Sequence, residues 1–81
     1  MRASPERKRL VDTVNDIVGH NIRKQRKELK ITQAEASRLL SGANEGYFRS
    51  IENGHKRMSL FRLIEISDVL GVSPSTLLEG I

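Results

Sequence analysis

The chain has 81 residues, 14 lysine or arginine residues, 10 aspartate or glutamate residues, no cysteine and a net charge of +4. This length allows one domain, and the lack of cysteine excludes disulfides, thiolate metal sites and cysteine nucleophiles. No apolar run approaches the roughly 20 residues of a membrane helix, and the N-terminus does not read as a signal peptide, so we expect a cytoplasmic protein without a membrane span.

The charge is unevenly distributed along the chain. Residues 1–30 carry nine basic and four acidic residues, whereas residues 58–81 carry one basic and three acidic residues. A basic half and an acidic end suggest that one face meets a polyanion. DNA, RNA and a membrane surface all fit this pattern, and so does an ordinary solvated surface.

The first predicted helix begins with a capping serine, a proline and an acidic residue, Ser4, Pro5 and Glu6. Its apolar positions recur with helical spacing at Leu10, Val11, Val14, Ile17, Val18 and Ile22. One helix over residues 6–28 fits this stripe, but Gly19 costs about 1 kcal/mol in a helix interior. The alternative is a break at residues 19–21. Residues 6–18 would then be an appended helix, within an N-terminal extension of residues 1–20, that packs on the domain of residues 21–81 or on a second copy of it.

A dense basic cluster ends this first segment, at Arg23, Lys24, Arg26, Lys27 and Lys30. On a helix, Arg26 lies nearer the apolar face than the other four. An unpaired buried charge costs several kcal/mol, so Arg26 needs an acidic partner. The other cations can face either solvent or phosphate.

Residues 32–54 predict two short helices joined by a tight turn. Thr32 and Glu35 form a capping box for the first helix, Leu39 and Leu40 end its apolar stripe, and Ser41-Gly42 breaks it. Asn44 can cap the second helix, and Gly54 ends it.

The second of these helices has two distinct faces. Phe48 and Ile51 are three residues apart and point inward. The opposite face carries hydrogen-bonding side chains that a core does not need, namely Glu45, Tyr47, Arg49, Ser50 and Asn53. Two helices around a glycine turn can form a helix-turn-helix, whose second helix enters the major groove of DNA, or an ordinary helical hairpin.

The C-terminal third predicts two further helices. A basic loop, His55-Lys56-Arg57, precedes a helix capped by Ser59 and ended by Gly71. Its inward residues are expected to be Leu60, Leu63, Ile64 and Leu70. Ser73-Pro74 then starts a last short helix, and the apolar residues Leu77, Leu78 and Ile81 either complete a core or form a two-fold contact.

Residues 22–78 resemble the helix-turn-helix family of the lambda repressor and Cro. The resemblance rests on Ile22-Arg23 with Arg26, Thr32-Gln33, the run from Ile51 to Gly54, the run from Leu70 to Ser73, and Leu77-Leu78. It implies an all-α, five-helix DNA-binding domain, here with an N-terminal helical extension.

The resemblance also implies roles for individual residues. Arg26 and Glu52 match an ion pair that joins the first helix to the end of the recognition helix. The implied contacts to the DNA backbone come from Gln33, Asn44, Asn53, Lys56 and Arg57. The implied groove-facing positions include Glu45, Tyr47, Arg49 and Ser50, and Arg49 is the best candidate to read a base because arginine is bidentate to guanine.

The sequence departs from the family at several positions. The spacing from Gln33 to Glu52 is one residue longer than usual, so the turn between the two helices is altered. Ser37 stands where alanine is usual, and Met58 replaces a common proline. Tyr47 can contact DNA or fill the altered turn, and Glu45 can accept from cytosine or pair with Arg49 four residues on.

We therefore expect a transcriptional regulator, most simply a repressor, that binds a pseudo-palindromic site in double-stranded DNA as a homodimer. The alternative is a protein-interaction module of the same fold, such as an antitoxin or adaptor, with a partner bound through the N-terminal extension. An enzyme is disfavoured, since His20 and His55 lack the neighbours of a metal or nucleophile site. We expect no cofactor and no metal.

Overall fold

The computed structural model describes residues 5–81, which form five helices and no strand. The helices are α1 (Pro5–Glu28), α2 (Gln33–Arg38), α3 (Tyr47–Glu52), α4 (Leu60–Leu70) and α5 (Pro74–Leu77). The expected all-α fold is therefore confirmed, while the expected cap at Ser4 lies outside the described residues. No helix within residues 5–81 is both long and apolar enough to cross a membrane.

Helix α1 runs without interruption through Gly19, so the structure has the longer of the two alternatives for the first helix. Gly19 is buried and faces the end of α3, where an added methyl group would overlap the carbonyl oxygens of Ile51 and Glu52. Glycine weakens a helix interior, but here it lets two backbones approach closely. The packing of α1 on α3 therefore depends on this residue.

Helix α2 begins with the expected capping box. The backbone N–H of Glu35 donates to the hydroxyl of Thr32 at 3.0 Å, and the N–H of Thr32 donates to the Glu35 carboxylate at 3.1 Å. The hydrogen bond that the Thr32 backbone donates to the carboxylate, and next the Thr32 side chain, hold the pKa of Glu35 below its ordinary value.

The connection from α2 to α3 is longer than the tight turn expected at Ser41-Gly42. Helix α2 ends at Arg38, and α3 begins only at Tyr47. Leu40 is buried but Leu39 is exposed, so the expectation that both leucines belong to the inward stripe is wrong for Leu39. The reason is that α2 has already ended, and the chain reverses at Gly42, which has a φ of 68°.

Helix α4 has the expected ends but a different inward face. Ser59 accepts from the N–H of Arg62 at 3.1 Å, and Gly71 caps the C-terminus with a φ of 69°. The inward face consists of Leu63, Ile66, Ser67 and Leu70, which follow helical spacing. The expected inward positions Leu60 and Ile64 are exposed, because the first lies at the start of the helix and the second on its flank.

The core lies between α1 and the four shorter helices. Its buried apolar residues are Val18, Ile22, Ala36, Leu40, Phe48, Ile51, Ile66, Leu70 and Leu77. Asn21 fastens the C-terminal end to α1 by donating to the carbonyl oxygens of Leu77 and Glu79 at 2.9 and 2.8 Å. Leu78 and Ile81 are exposed, so of the three terminal apolar residues only Leu77 completes the core.

Candidate nucleic-acid interface

A buried ion pair holds the C-terminal end of α3. Arg26 donates from Nε to Oε2 of Glu52 at 2.6 Å and from Nη2 to Oε1 at 3.0 Å. Its third contact runs from Nη1 to the carbonyl oxygen of Ile31 at 2.8 Å. The Glu52 side chain is only 1% exposed, and a bidentate pair of this kind fixes direction as well as distance. Arg26 thus has the acidic partner that the sequence requires.

Gln33 joins the same network from the first turn of α2. Its Nε2 donates to Oε1 of Glu52 at 3.1 Å. The C-terminal half of α1, the start of α2 and the end of α3 therefore meet at one carboxylate. The amide of Gln33 is half-buried here, so a phosphate contact from this side chain has to coexist with its hydrogen bond to Glu52.

The N-terminal end of α3 is held by a residue of α2. The backbone N–H of Phe48 donates to the hydroxyl of Ser37 at 3.1 Å, and both residues are buried. The residue at the N-cap of α3 is Gly46, which has no side chain to accept this bond. Ser37 thus supplies the capping oxygen that a serine or aspartate at position 46 would have supplied.

The structure corrects the expected start of the recognition helix. The sequence predicts Asn44 as its cap, but Asn44 and Glu45 both precede Gly46. The carbonyl of Asn44 instead accepts a hydrogen bond from the N–H of Tyr47 in a turn, at 3.1 Å. Glu45 is therefore not four helical positions before Arg49. Its carboxylate lies 3.8 Å from Nη1 of Arg38, with both side chains exposed.

The solvent face of α3 carries Arg49 and Ser50, with Asn53 immediately after the helix. Arg49 and Asn53 are exposed and Ser50 is half-buried, while Phe48 and Ile51 are buried as predicted. Lys56 and Arg57 are exposed in the loop that follows. The structure therefore presents an arginine, polar side chains and two loop cations beside a helix whose two ends are fixed.

Tyr47 is half-buried and packs against the core, unlike the exposed Arg49 on the same helix. Two cations lie near its ring: Nζ of Lys56 is 5.3 Å from the ring centroid, and the guanidinium carbon of Arg62 is 4.8 Å from it. Both distances are within the range of a cation–π interaction. Tyr47 thus links α3 to the following loop and to α4.

A cluster that the sequence did not predict braces the longer turn. Glu65 accepts from the N–H and the hydroxyl of Ser41, both at 2.9 Å, and Arg62 donates to the Ser41 carbonyl at 3.0 Å and to Glu65 at 2.8 Å. The hydrogen bonds from Ser41, and next the charge of Arg62, hold the pKa of Glu65 below its ordinary value. Opposite charges three residues apart on α4 were the available signal.

Comparison with known proteins agrees with this geometry. A family model described as helix-turn-helix matches residues 22–77, which is more than half of the chain. The fold is similar to that of the restriction-modification controller protein C.AhdI from Aeromonas hydrophila, with 23% sequence identity, a TM-score of 0.74 and coverage of 82% of this chain and 94% of that chain. No curated protein matches the sequence.

Proposed function

Since this chain belongs to the lambda repressor and Cro-like helix-turn-helix family of DNA-binding transcriptional regulators, we propose that it is a repressor that binds a pseudo-palindromic operator as a homodimer. One observation carries the proposal: the buried pair of Arg26 and Glu52 holds α3 while the polar face of that helix points to solvent. An operator that overlaps a promoter would be blocked by the bound protein, and the site of action is then the cytoplasm.

Affinity and specificity come from different residues in this proposal. Contacts to phosphates supply affinity and register, and contacts to base edges supply specificity. The backbone contacts come from Gln33, Asn44, Asn53, Lys56 and Arg57. The base edges are read by Arg49, with its bidentate fit to guanine, by Ser50 on the same helix, and by Glu45 in the turn before it.

The homodimer is supported by apolar side chains that the domain itself leaves uncovered. Phe61 is 87% exposed and Leu60 is 72% exposed, both at the start of α4, and Ile64 lies one turn further on. A cluster of exposed apolar residues commonly marks a contact with another protein. A two-fold axis through this face would let two copies bind the two halves of a palindrome.

A selection of bound duplexes from a random DNA library tests the proposal. We expect an enriched sequence with two inverted half-sites whose centres are about 34 Å apart, because two-fold related recognition helices are separated by one turn of DNA. Light scattering of the complex should give two chains per duplex. An enriched site without inverted symmetry, or one chain per duplex, would refute the homodimer.

The first part of α1 supports a second candidate function. In this alternative the chain is a protein-interaction module, such as an antitoxin or adaptor. Leu10 is exposed there, and Val11 and Val14 are half-buried beside Met58. These residues form an apolar cleft that a protein partner could fill. Binding to duplex DNA that weakens steeply with salt favours the regulator, whereas salt-insensitive or absent DNA binding favours the interaction module.

A further inference from the structure

Tyr47, Lys56 and Arg62, called the ring cluster below, join three separate parts of the domain. Tyr47 is the first residue of α3, Lys56 lies in the loop after α3, and Arg62 lies in the first turns of α4. Both cations are within about 6 Å of the Tyr47 ring centroid, where the negative face of an aromatic ring attracts positive charge. The ring is therefore already engaged by the protein itself.

The Arg62 side of the ring cluster is fixed. Its guanidinium donates to the Ser41 carbonyl and to the Glu65 carboxylate, and Glu65 is held in turn by two hydrogen bonds from Ser41. The charge of Arg62 is thus balanced by an adjacent carboxylate. Because Arg62 is anchored at both the turn and α4, it holds the ring in one place.

The Lys56 side of the ring cluster is different. Lys56 is exposed, and within residues 5–81 no carboxylate forms an ion pair with it. Its ammonium is therefore positioned by the ring without being neutralised. A long lysine side chain ordinarily loses considerable rotamer freedom when it binds a phosphate, and prior positioning reduces that loss.

From this arrangement, which rests on the DNA-binding function proposed above, we infer that Tyr47 is a positioning residue that holds Lys56 for a DNA phosphate and does not read a base. Tyr47 is already half-buried against the core, and two cations lie near its ring. The residue at the start of the recognition helix then sets the backbone register of the complex. Base reading is left to Arg49 and its neighbours.

The first test measures the ring cluster without DNA. Ring currents shift the εCH₂ protons of a lysine that lies near an aromatic face, so we expect these protons of Lys56 to resonate upfield of the other lysines in a ¹H–¹³C spectrum. Tyr47→Leu should abolish the shift while keeping an apolar side chain at this position. Tyr47→Phe, which keeps the aromatic ring, should show the same shift as the wild type. An unshifted Lys56 in the wild type would overturn the inference.

The second test measures DNA binding by anisotropy, with the duplex obtained by selection and a random-sequence duplex, over a range of salt concentrations. Lys56→Gln should reduce the salt slope by about 0.9, the value for one lost phosphate contact. Tyr47→Leu should weaken binding to both duplexes by about two- to fivefold. Tyr47→Phe should restore the affinity, since the aromatic face and not the hydroxyl acts on Lys56.

A double-mutant cycle separates positioning from direct contact. In the Lys56→Gln background, Tyr47→Leu should have no further effect, because the group that it positions is gone. If the losses of affinity of the two substitutions add fully, or if Tyr47→Leu changes the ratio of the affinities for the two duplexes, Tyr47 contacts DNA itself. Either result would overturn this inference and leave the proposed function standing. Failure of the wild type to bind any duplex would instead overturn the proposed function.

Discussion

Phe48 donates its backbone N–H to the hydroxyl of Ser37, so a residue of α2 caps the first turn of α3. A helix is usually capped by the residue immediately before it, and here that residue is Gly46. The hydrogen bond therefore does two things: it satisfies a buried N–H, and it ties the start of α3 to α2. The first turn of α3 is therefore held by a residue that lies outside the loop joining the two helices.

Replacement of Ser37 by alanine tests this cap. Alanine fits the site, since it is the residue that the family resemblance leads us to expect there, so the substitution removes the hydroxyl and little else. We expect Ser37→Ala to lower the free energy of unfolding by about 1 kcal/mol in urea titrations. Ser50→Ala, on α3, is the matched control and should change stability by less than about 0.5 kcal/mol. Equal effects of the two substitutions would argue against the cap.

The buried ion pair should be far more sensitive to the loss of one partner than to the loss of both. Glu52→Gln leaves the guanidinium of Arg26 buried without an anion, and we expect it to cost about 3–5 kcal/mol of stability. The double variant Arg26→Leu with Glu52→Leu should be more stable than Glu52→Gln, because neither charge remains to be desolvated. Chemical denaturation followed by circular dichroism measures both, and a double variant that is the less stable of the two would contradict this expectation.

Replacement of Gly19 by alanine should destabilise the protein, whereas the same change in most helices is stabilising. In an exposed helix interior, a change from glycine to alanine stabilises by about 1 kcal/mol. At Gly19 the new methyl group would overlap backbone carbonyl oxygens of Ile51 and Glu52, which cannot move aside cheaply. We therefore expect Gly19→Ala to lower the melting temperature.

The control for that substitution is Gly46→Ala, where the added methyl group meets only the Asn44 side-chain oxygen, at 3.6 Å. This change should alter the melting temperature much less than Gly19→Ala does. An increase in the melting temperature with Gly19→Ala would mean that α1 does not pack on the end of α3 as closely as the structure shows.

Several features could be predicted from the sequence because their signals are local. The capping box at Thr32 and the caps at Ser59 and Gly71 involve residues at most three positions apart, or backbone angles that favour glycine. The need of Arg26 for an acidic partner followed from its position near an apolar face, and the family resemblance supplied Glu52 as that partner.

Other features could not be predicted because their partners are distant in the sequence. The start of α3 at Tyr47 depends on Ser37, which lies in another helix. The bracing of the turn joins Ser41 to Glu65 across 24 positions. The sequence presents Gly19 only as a weak point of a helix, because its role depends on the packing of α3 against it. Propensity describes a residue in isolation, whereas these contacts depend on tertiary packing.

The hydrogen bonds that brace the turn also predict that the stability of the protein depends on pH. Hydrogen bonds from Ser41 hold the pKa of Glu65 below its ordinary value. A carboxylate with a depressed folded pKa contributes stability above its unfolded pKa of about 4.3, and that contribution is lost as the pH falls through the folded pKa. We expect Glu65→Gln to lower the urea midpoint at neutral pH and the difference from the wild type to shrink in acid. A difference independent of pH would contradict this role.

The most direct test asks whether the exposed face of α3 recognises DNA sequence. It measures the ratio of the affinities for the selected duplex and for a scrambled duplex, with the wild type, Arg49→Ala and Arg57→Ala. If Arg49 reads a base, Arg49→Ala should reduce the ratio by about ten- to a hundredfold. Arg57→Ala should weaken both duplexes alike and leave the ratio unchanged. A ratio that Arg49→Ala does not alter would mean that the exposed face of α3 does not recognise DNA sequence.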